Sequence, residues 1–299
     1  MQSSASPGRA GLLLGAAAYA LWGVLPLYIH LLQQVPALQV LAHRVLWSVL
    51  LLALVIVALR RARPILQAAR GRTLLLLVAS ASLIAINWLV YIWAVQHHHV
   101  LEASLGYFIN PLVNVALGMA VLGERLRRLQ GVAIAVAAAG VAILAVSGGG
   151  ALWISLALAL SFGLYGLVRK VAAIDALGGL TVETLLLAPI ALALLVQAGH
   201  AGEGAFGQST RLDLLLMLAG PVTTAPLLMF AAAARRLPLA TLGLLQYIAP
   251  SFQFAQAVLF FDEPVGLVHV VTFALIWTGC ALYALDSLRA ARMSRALPK

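Results

Sequence analysis

The sequence predicts an all-α polytopic membrane protein with ten transmembrane helices in two inverted five-helix repeats. Three observations predict it: a composition suited to lipid, a one-sided placement of basic residues, and a pattern that recurs about 139 positions along the chain. Hydrophobic residues fill 63% of the 299 positions and charged residues 9%, with a mean hydropathy of +1.03. A soluble fold of this size could not cover itself with so little polar surface.

A helix needs about 20 apolar residues to cross the hydrocarbon core. Residues 11–32 give the first span, opening on GLLLG, a GxxxG face fit for close helix packing. Its AAAYA resembles a signal-peptide cleavage site. The apolar run continues to Leu32, however, and cleavage would leave nine spans with the termini on opposite sides, so the segment is expected to remain. Residues 38–59 form the second span and hold His43 and Arg44. Residues 73–96 form the third and end in the aromatic run NWLVYIWAV. The fourth, 102–122, opens on Glu102 and carries Tyr107, Asn110, Pro111 and Asn114. Spans at 129–147, 151–168 and 179–198 follow, the last with Glu183. Then come 212–234, 239–261 with Gln246, Tyr247, Pro250, Gln253 and Gln256, and 266–286. Fewer spans would require a lipid-buried loop with unpaired backbone groups. Cys280, the single cysteine, lies in an apolar run and offers neither a disulfide nor a thiolate metal cluster.

The basic residues fit this count. With a cytoplasmic N-terminus, 17 of the 19 Lys and Arg fall on the cytoplasmic side: Arg9, the cluster from Arg60 to Arg72, Arg125, Arg127, Arg128, Arg169, Lys170, Arg235, Arg236, and Arg289 to Lys299. Only Arg211 lies in an outer loop, and Arg44 is inside a span. This is the positive-inside asymmetry. The net charge of +10 then serves orientation and lipid headgroups, not nucleic acid. Both termini are expected in the cytoplasm of a bacterial inner-membrane protein.

Pro111 and Glu124 recur as Pro250 and Glu263, each 139 positions later, and EASLG at 102–106 resembles LATLG at 239–243. ALWGVLPL at 20–27 pairs with LSFGLYGL at 160–167. The halves are then 11–147 and 151–286, with 287–299 as a basic cytoplasmic tail. Five is odd, so the second half enters the membrane upside down. Such inverted repeats suit alternating access around a midplane site.

Polar groups at depth mark the candidate pathway. Asn110 and Asn114 share a helix face beside Pro111, and Gln246, Tyr247 and Gln253 lie beside Pro250 in the matching span. Helices broken at Pro111 and Pro250 with amide-rich faces either line a substrate site or bond helix to helix. Asn87 and Trp88 lie deeper than an interfacial aromatic belt requires. A charge at Arg44 needs water, the interface or a partner; beside His43 it either snorkels outward or meets an anionic group at the outer mouth. Glu183 stands 139 positions after Arg44, and an acid near one gate opposite a base near the other suits a substrate with both charges. Glu183 and Glu102 are the gate or proton-coupling candidates. His97, His98 and His99 fall in a short outer turn without the spacing of a metal site. No metal, cofactor or catalytic set is expected.

Several motifs resemble the RarD group of EamA transporters, in the drug/metabolite transporter superfamily. They are AHRVLWS (42–48), NWLVYIWAV (87–95), LEASLGYFINPLVN (101–114), LGERL (122–126), YGLVRK (165–170), VTTAPLL (222–228) and LGLLQYIAPS (242–251). The resemblance implies a ten-helix inner-membrane permease of two inverted EamA repeats whose relatives export amino acids and other small metabolites; the RarD label refers to chloramphenicol sensitivity. The expected function is a secondary transporter of a small metabolite, such as an amino acid or a drug-like amphipathic solute, as a monomer or dimer. Without a Walker A motif, ATP is not its direct energy source. A flippase for a lipid-linked headgroup and, further off, an intramembrane enzyme are the alternatives.

Overall fold

The computed structural model describes residues 7–122, 127–147, 151–234, 236–237 and 245–296. The side chains of Pro111 and Asn114, all of Glu124 and the stretch 239–243 lie outside the described residues. Twelve helices are described: α1 (Pro7–Gly23), α2 (Leu25–His30), α3 (Ala37–Ala58), α4 (Ala62–Ala68), α5 (Gly71–Gln96), α6 (Val100–Leu122), α7 (Arg128–Val146), α8 (Leu152–Val171), α9 (Ala176–His200), α10 (Thr210–Ala234), α11 (Ile248–Leu259) and α12 (Leu267–Ala296). Eight described segments are long and apolar enough to cross a membrane. The 23-residue α6 and the α11 region occupy the remaining two expected positions, so ten spans stand. The α4 helix is an addition between spans two and three, anchored by buried Ile65. The last helix runs on to Ala296, through most of the expected tail.

Two helix interruptions differ from expectation. Span one is broken at Val24. Pro26 has no N–H, so the Trp22 carbonyl four residues earlier loses its partner. The Leu27 N–H turns to Val24 at 3.2 Å, which frees Gly23 as well. Both carbonyls are taken by α11: Gln253 Nε2 donates to Trp22 at 3.3 Å and Gln256 Nε2 to Gly23 at 2.7 Å. By contrast, α6 runs unbroken through Pro111. A proline forfeits one intrahelical bond, and a packed membrane helix tolerates that. Pro250 sits in the first turn of α11, just after a turn at Gln246 and Tyr247, where its missing N–H costs nothing.

The packing maps onto itself when the first five spans are exchanged with the second five. α3 packs on α9, α6 on α11 and α7 on α12, each pair being its own image. α5 on α8 mirrors α1 on α10, α6 on α8 mirrors α1 on α11, and α3 on α10 mirrors α5 on α9. Small residues permit the closest crossings. A Cβ at Gly220 would lie 2.6 Å from the Trp47 carbonyl carbon, and one at Gly15 of the GxxxG would lie 2.7 Å from Leu245. Leucine and valine side chains such as Leu54, Val57 and Leu75 are exposed on the outside of the bundle, where lipid replaces water.

Candidate substrate site

Arg44 sits two turns into α3, which begins after Pro36. It does not snorkel outward. The side chain is 7% exposed, and its guanidinium carbon lies 4.4 Å from the centre of the Trp88 ring on α5. Tyr28, Tyr91 and Tyr107 lie within reach of its charge. Its Nε has no hydrogen-bond partner, and no carboxylate pairs with it among the described residues. A cation stacked on a desolvated indole gains about 2 kcal/mol, and the stack leaves the Nε–H without an acceptor.

Other polar atoms nearby are also unpartnered. They include both amide atoms of Asn110 and the Ser48 hydroxyl one turn along from Arg44, while the Tyr91 hydroxyl has the Gln253 side chain as its hydrogen-bonding neighbour. Tyr91 lies close to Tyr107, Arg44 and Gln253. Asn110 stands one turn from Tyr107 on α6. The Tyr91 and Tyr107 rings meet edge-on at 5.6 Å. Each buried polar group left unpaired costs about 1–3 kcal/mol. Arg44, Tyr91 and Gln253 thus lie together in the interior, with Asn110 one turn from Tyr107 on α6, and the Arg44 Nε and both Asn110 amide atoms have no hydrogen-bond partner.

The expected site residues divide. Asn87 is saturated: its Nδ2 donates to the Leu158 carbonyl and to Ser161 Oγ, both at 3.0 Å, and its Oδ1 accepts from the Tyr107 hydroxyl at 3.1 Å. It ties α5 to α8 and fixes Tyr107. His43 stacks on Phe206 at 5.5 Å and lines a separate groove of about 400 Å³ between α3 and α9, with Trp47, Leu195 and Gly204. Tyr247 stacks on Phe108 at 6.3 Å, beside Cys280 and Tyr283, on the α12 side. Gln246 is half-buried. His98 takes φ +58° and the His99 N–H donates to Ala94, so the histidine run is the stop of α5, with His97 stacked on Trp93. Among the described residues no group of His, Cys, Asp or Glu could hold a metal.

The two coupling candidates have different surroundings. Glu102 lies in the first turn of α6, takes the Ala151 N–H at the start of α8 at 3.4 Å, and faces His99 Nδ1 at 3.5 Å. Beside it, Glu263 accepts the Val100 and Leu101 N–H groups at 2.6 and 2.8 Å, capping α6. Burial pushes the Glu263 carboxyl up to about 7, and the Glu102 charge adds to the rise against the pull of the two backbone donors. Glu183 is 1% exposed on α9; it accepts from Ser80 Oγ at 2.6 Å and the Tyr165 hydroxyl at 3.3 Å, with Arg169 Nε at 3.6 Å. Sequence reasoning took Arg169 as an orientation charge only. Its four-residue spacing from Tyr165 on one helix face was the available signal.

Comparison with known proteins agrees with this architecture. The profile of the EamA-like transporter family matches residues 9–146. Protein RarD of Salmonella typhi is 46% identical over 282 residues, covering 94% of this chain and 96% of that protein. An uncharacterized transporter of Pseudomonas aeruginosa is 47% identical, covering 95% and 96%. A solved crystal structure superposes with a TM-score of 0.62 at 19% identity, over 92% of this chain and 97% of that one, which shows a shared fold alone. With relatives of such identity along nearly its whole length, the chain belongs to the RarD group of the EamA-like transporters.

Proposed function

We propose that the chain is a secondary transporter of the bacterial inner membrane that moves a small metabolite with an anionic or zwitterionic group and a flat apolar body. Membership of the family makes it a multi-pass membrane transporter. The finer reading rests on one observation: a buried arginine, stacked on Trp88, whose Nε has no hydrogen-bond partner among the described residues. A carboxylate or phosphate on the solute would take the guanidinium fork. Trp88, Tyr91 and Tyr107 offer ring faces, and Asn110 and Gln253 give direction. Rocking of two inverted halves would open the patch to either side, a motion in keeping with the exchange symmetry of the packing. The test is thermal unfolding of the purified protein with L-tryptophan, L-phenylalanine, uridine 5′-monophosphate and chloramphenicol, followed by proteoliposome uptake of any binder. An anionic or zwitterionic binder raises the melting temperature by mass action, and Arg44→Gln abolishes the rise. Equal shifts in wild type and Arg44→Gln sink the reading.

The groove between α3 and α9 favours a second reading, the flipping of a lipid-linked headgroup, because it is open along the bundle surface. Arg44 lines the interior and not this groove. Transport of a water-soluble probe through the Arg44 patch would decide against it.

A further inference from the structure

The linker between α3 and α5 carries arginine at positions 60, 61, 63, 70 and 72. The fold uses Arg61, whose guanidinium pairs with Asp175 at 2.6 Å and ties α4 to the start of α9. Arg60, Arg63, Arg70 and Arg72 are exposed, and among the described residues their side chains have neither a hydrogen bond nor an ion pair. By contrast, Arg127 pairs with Asp286 at 2.6 Å, Arg169 stands 3.6 Å from Glu183, and Arg236 donates to the Ala232 carbonyl at 2.6 Å. Four cations on one short linker are thus left without a counter-charge.

The packing of α4 sets the height of that linker. Ile65 is buried in one cluster with Ile56 of α3, Leu77 of α5 and Val182 of α9. Ile56 lies two residues before the end of α3, and Leu77 and Val182 lie six residues into α5 and α9. At 1.5 Å per residue these positions are about 3–9 Å inside the helix ends. α4 therefore crosses the rim of the bundle, at the level where hydrocarbon gives way to headgroups. Arg63, Leu66 and Gln67 are exposed and fall on the side of α4 away from Ile65. Leu66 is 64% exposed, and Leu59, just after α3, is 58% exposed. Apolar side chains beside unopposed cations at this height match the two zones of a lipid, chain and phosphate. A nucleic acid or an acidic protein would satisfy the charges and leave the leucines in water.

We propose that this linker is a binding site for an anionic phospholipid of the adjoining leaflet. The lipid phosphate lies among Arg60, Arg63, Arg70 and Arg72, where the planar guanidinium fork suits two phosphate oxygens at once. Its acyl chains run along Leu59 and Leu66. The site is independent of the solute that the chain carries. The test uses the full-length protein in neutral detergent micelles, with an environment-sensitive fluorophore on Gln67→Cys in a Cys280→Ser background. Dioleoylphosphatidylglycerol should change the signal at a far lower mole fraction than dioleoylphosphatidylcholine. Arg63→Gln or Arg70→Gln should each weaken the phosphatidylglycerol response about fivefold, the contribution of one basic residue at an anionic lipid surface. Leu66→Asn keeps every charge and should weaken it as well. Arg128→Gln, on α7, which packs on α12, should leave it unchanged. Equal responses to the two lipids, the same loss in Arg128→Gln as in Arg63→Gln, or full affinity in Leu66→Asn overturns the proposal. So does a matching response to inorganic phosphate alone.

Discussion

Arg44→Met should make the protein more stable while abolishing its transport. The arginine lies deep in the bundle, and no carboxylate pairs with it among the described residues. A charge at such depth costs about 2.5–3.5 kcal/mol on an insertion scale, and the Trp88 stack returns about 2 kcal/mol of it. Methionine fills a similar volume, keeps a favourable contact of sulfur with the ring, and leaves no orphan donor. The net expectation is a gain of about 1 kcal/mol, or a rise of roughly 2–4 °C in melting temperature. Tryptophan fluorescence during heating in detergent measures it, and proteoliposome uptake of a bound probe measures the other half. A fall of more than about 1 kcal/mol would show that Arg44 is a strut whose pairing holds the fold, and the substrate argument would then have lost its foundation.

Glu263 gives a pH prediction. Its folded-state value of about 7 stands above the ordinary carboxylate value, so its contribution to stability is whole below about pH 4.5 and is lost as pH rises through about 7. Glu263→Gln should therefore melt with wild type near pH 5 and above it near pH 8; parallel curves at all pH refute the assignment. Gln256→Leu leaves the Gly23 carbonyl buried and bare and should cost about 1–3 kcal/mol, while Gln253→Leu, which loses a longer bond, should cost less; chemical denaturation ranks the two. Changing His97, His98 and His99 together to serine should alter stability by no more than about 0.5 kcal/mol and leave uptake intact. A cysteine at position 98, in the Cys280→Ser background, should react with an impermeant maleimide in intact cells, and labelling only after lysis would reverse the orientation.

The positions of the spans were legible because hydropathy over about 20 residues responds to the bilayer alone. The direction of a side chain is set by neighbours far away in the chain, and there the sequence was ambiguous. Arg44 and His43 are adjacent, yet one meets Trp88 inside and the other meets Phe206 in the groove. Asn87 read as a cavity residue lying deeper than the interfacial belt, whereas its three hydrogen bonds run to Leu158 and Ser161 of α8 and Tyr107 of α6 and tie those helices together. Proline also misled. α6 runs unbroken through Pro111, Pro250 follows the turn at Gln246 and Tyr247, and Pro26, which no repeat spacing marked, breaks the first span where Gln253 and Gln256 take the freed carbonyls. Glu102, read as a gate candidate, takes the N–H of Ala151 at the start of α8, 49 positions further along the chain.

The break in the first span has a consequence in time. The carbonyls of Trp22 and Gly23 receive their partners from residues 231 and 233 positions later. At a synthesis rate of about 5–20 residues per second, the ribosome needs roughly 10–50 seconds to deliver them. The span that enters the membrane first is thus among the last to be completed. A nascent or truncated product that ends before Gln253 carries two bare carbonyls into hydrocarbon, a chemical mark by which quality control can tell an unfinished chain from a finished one.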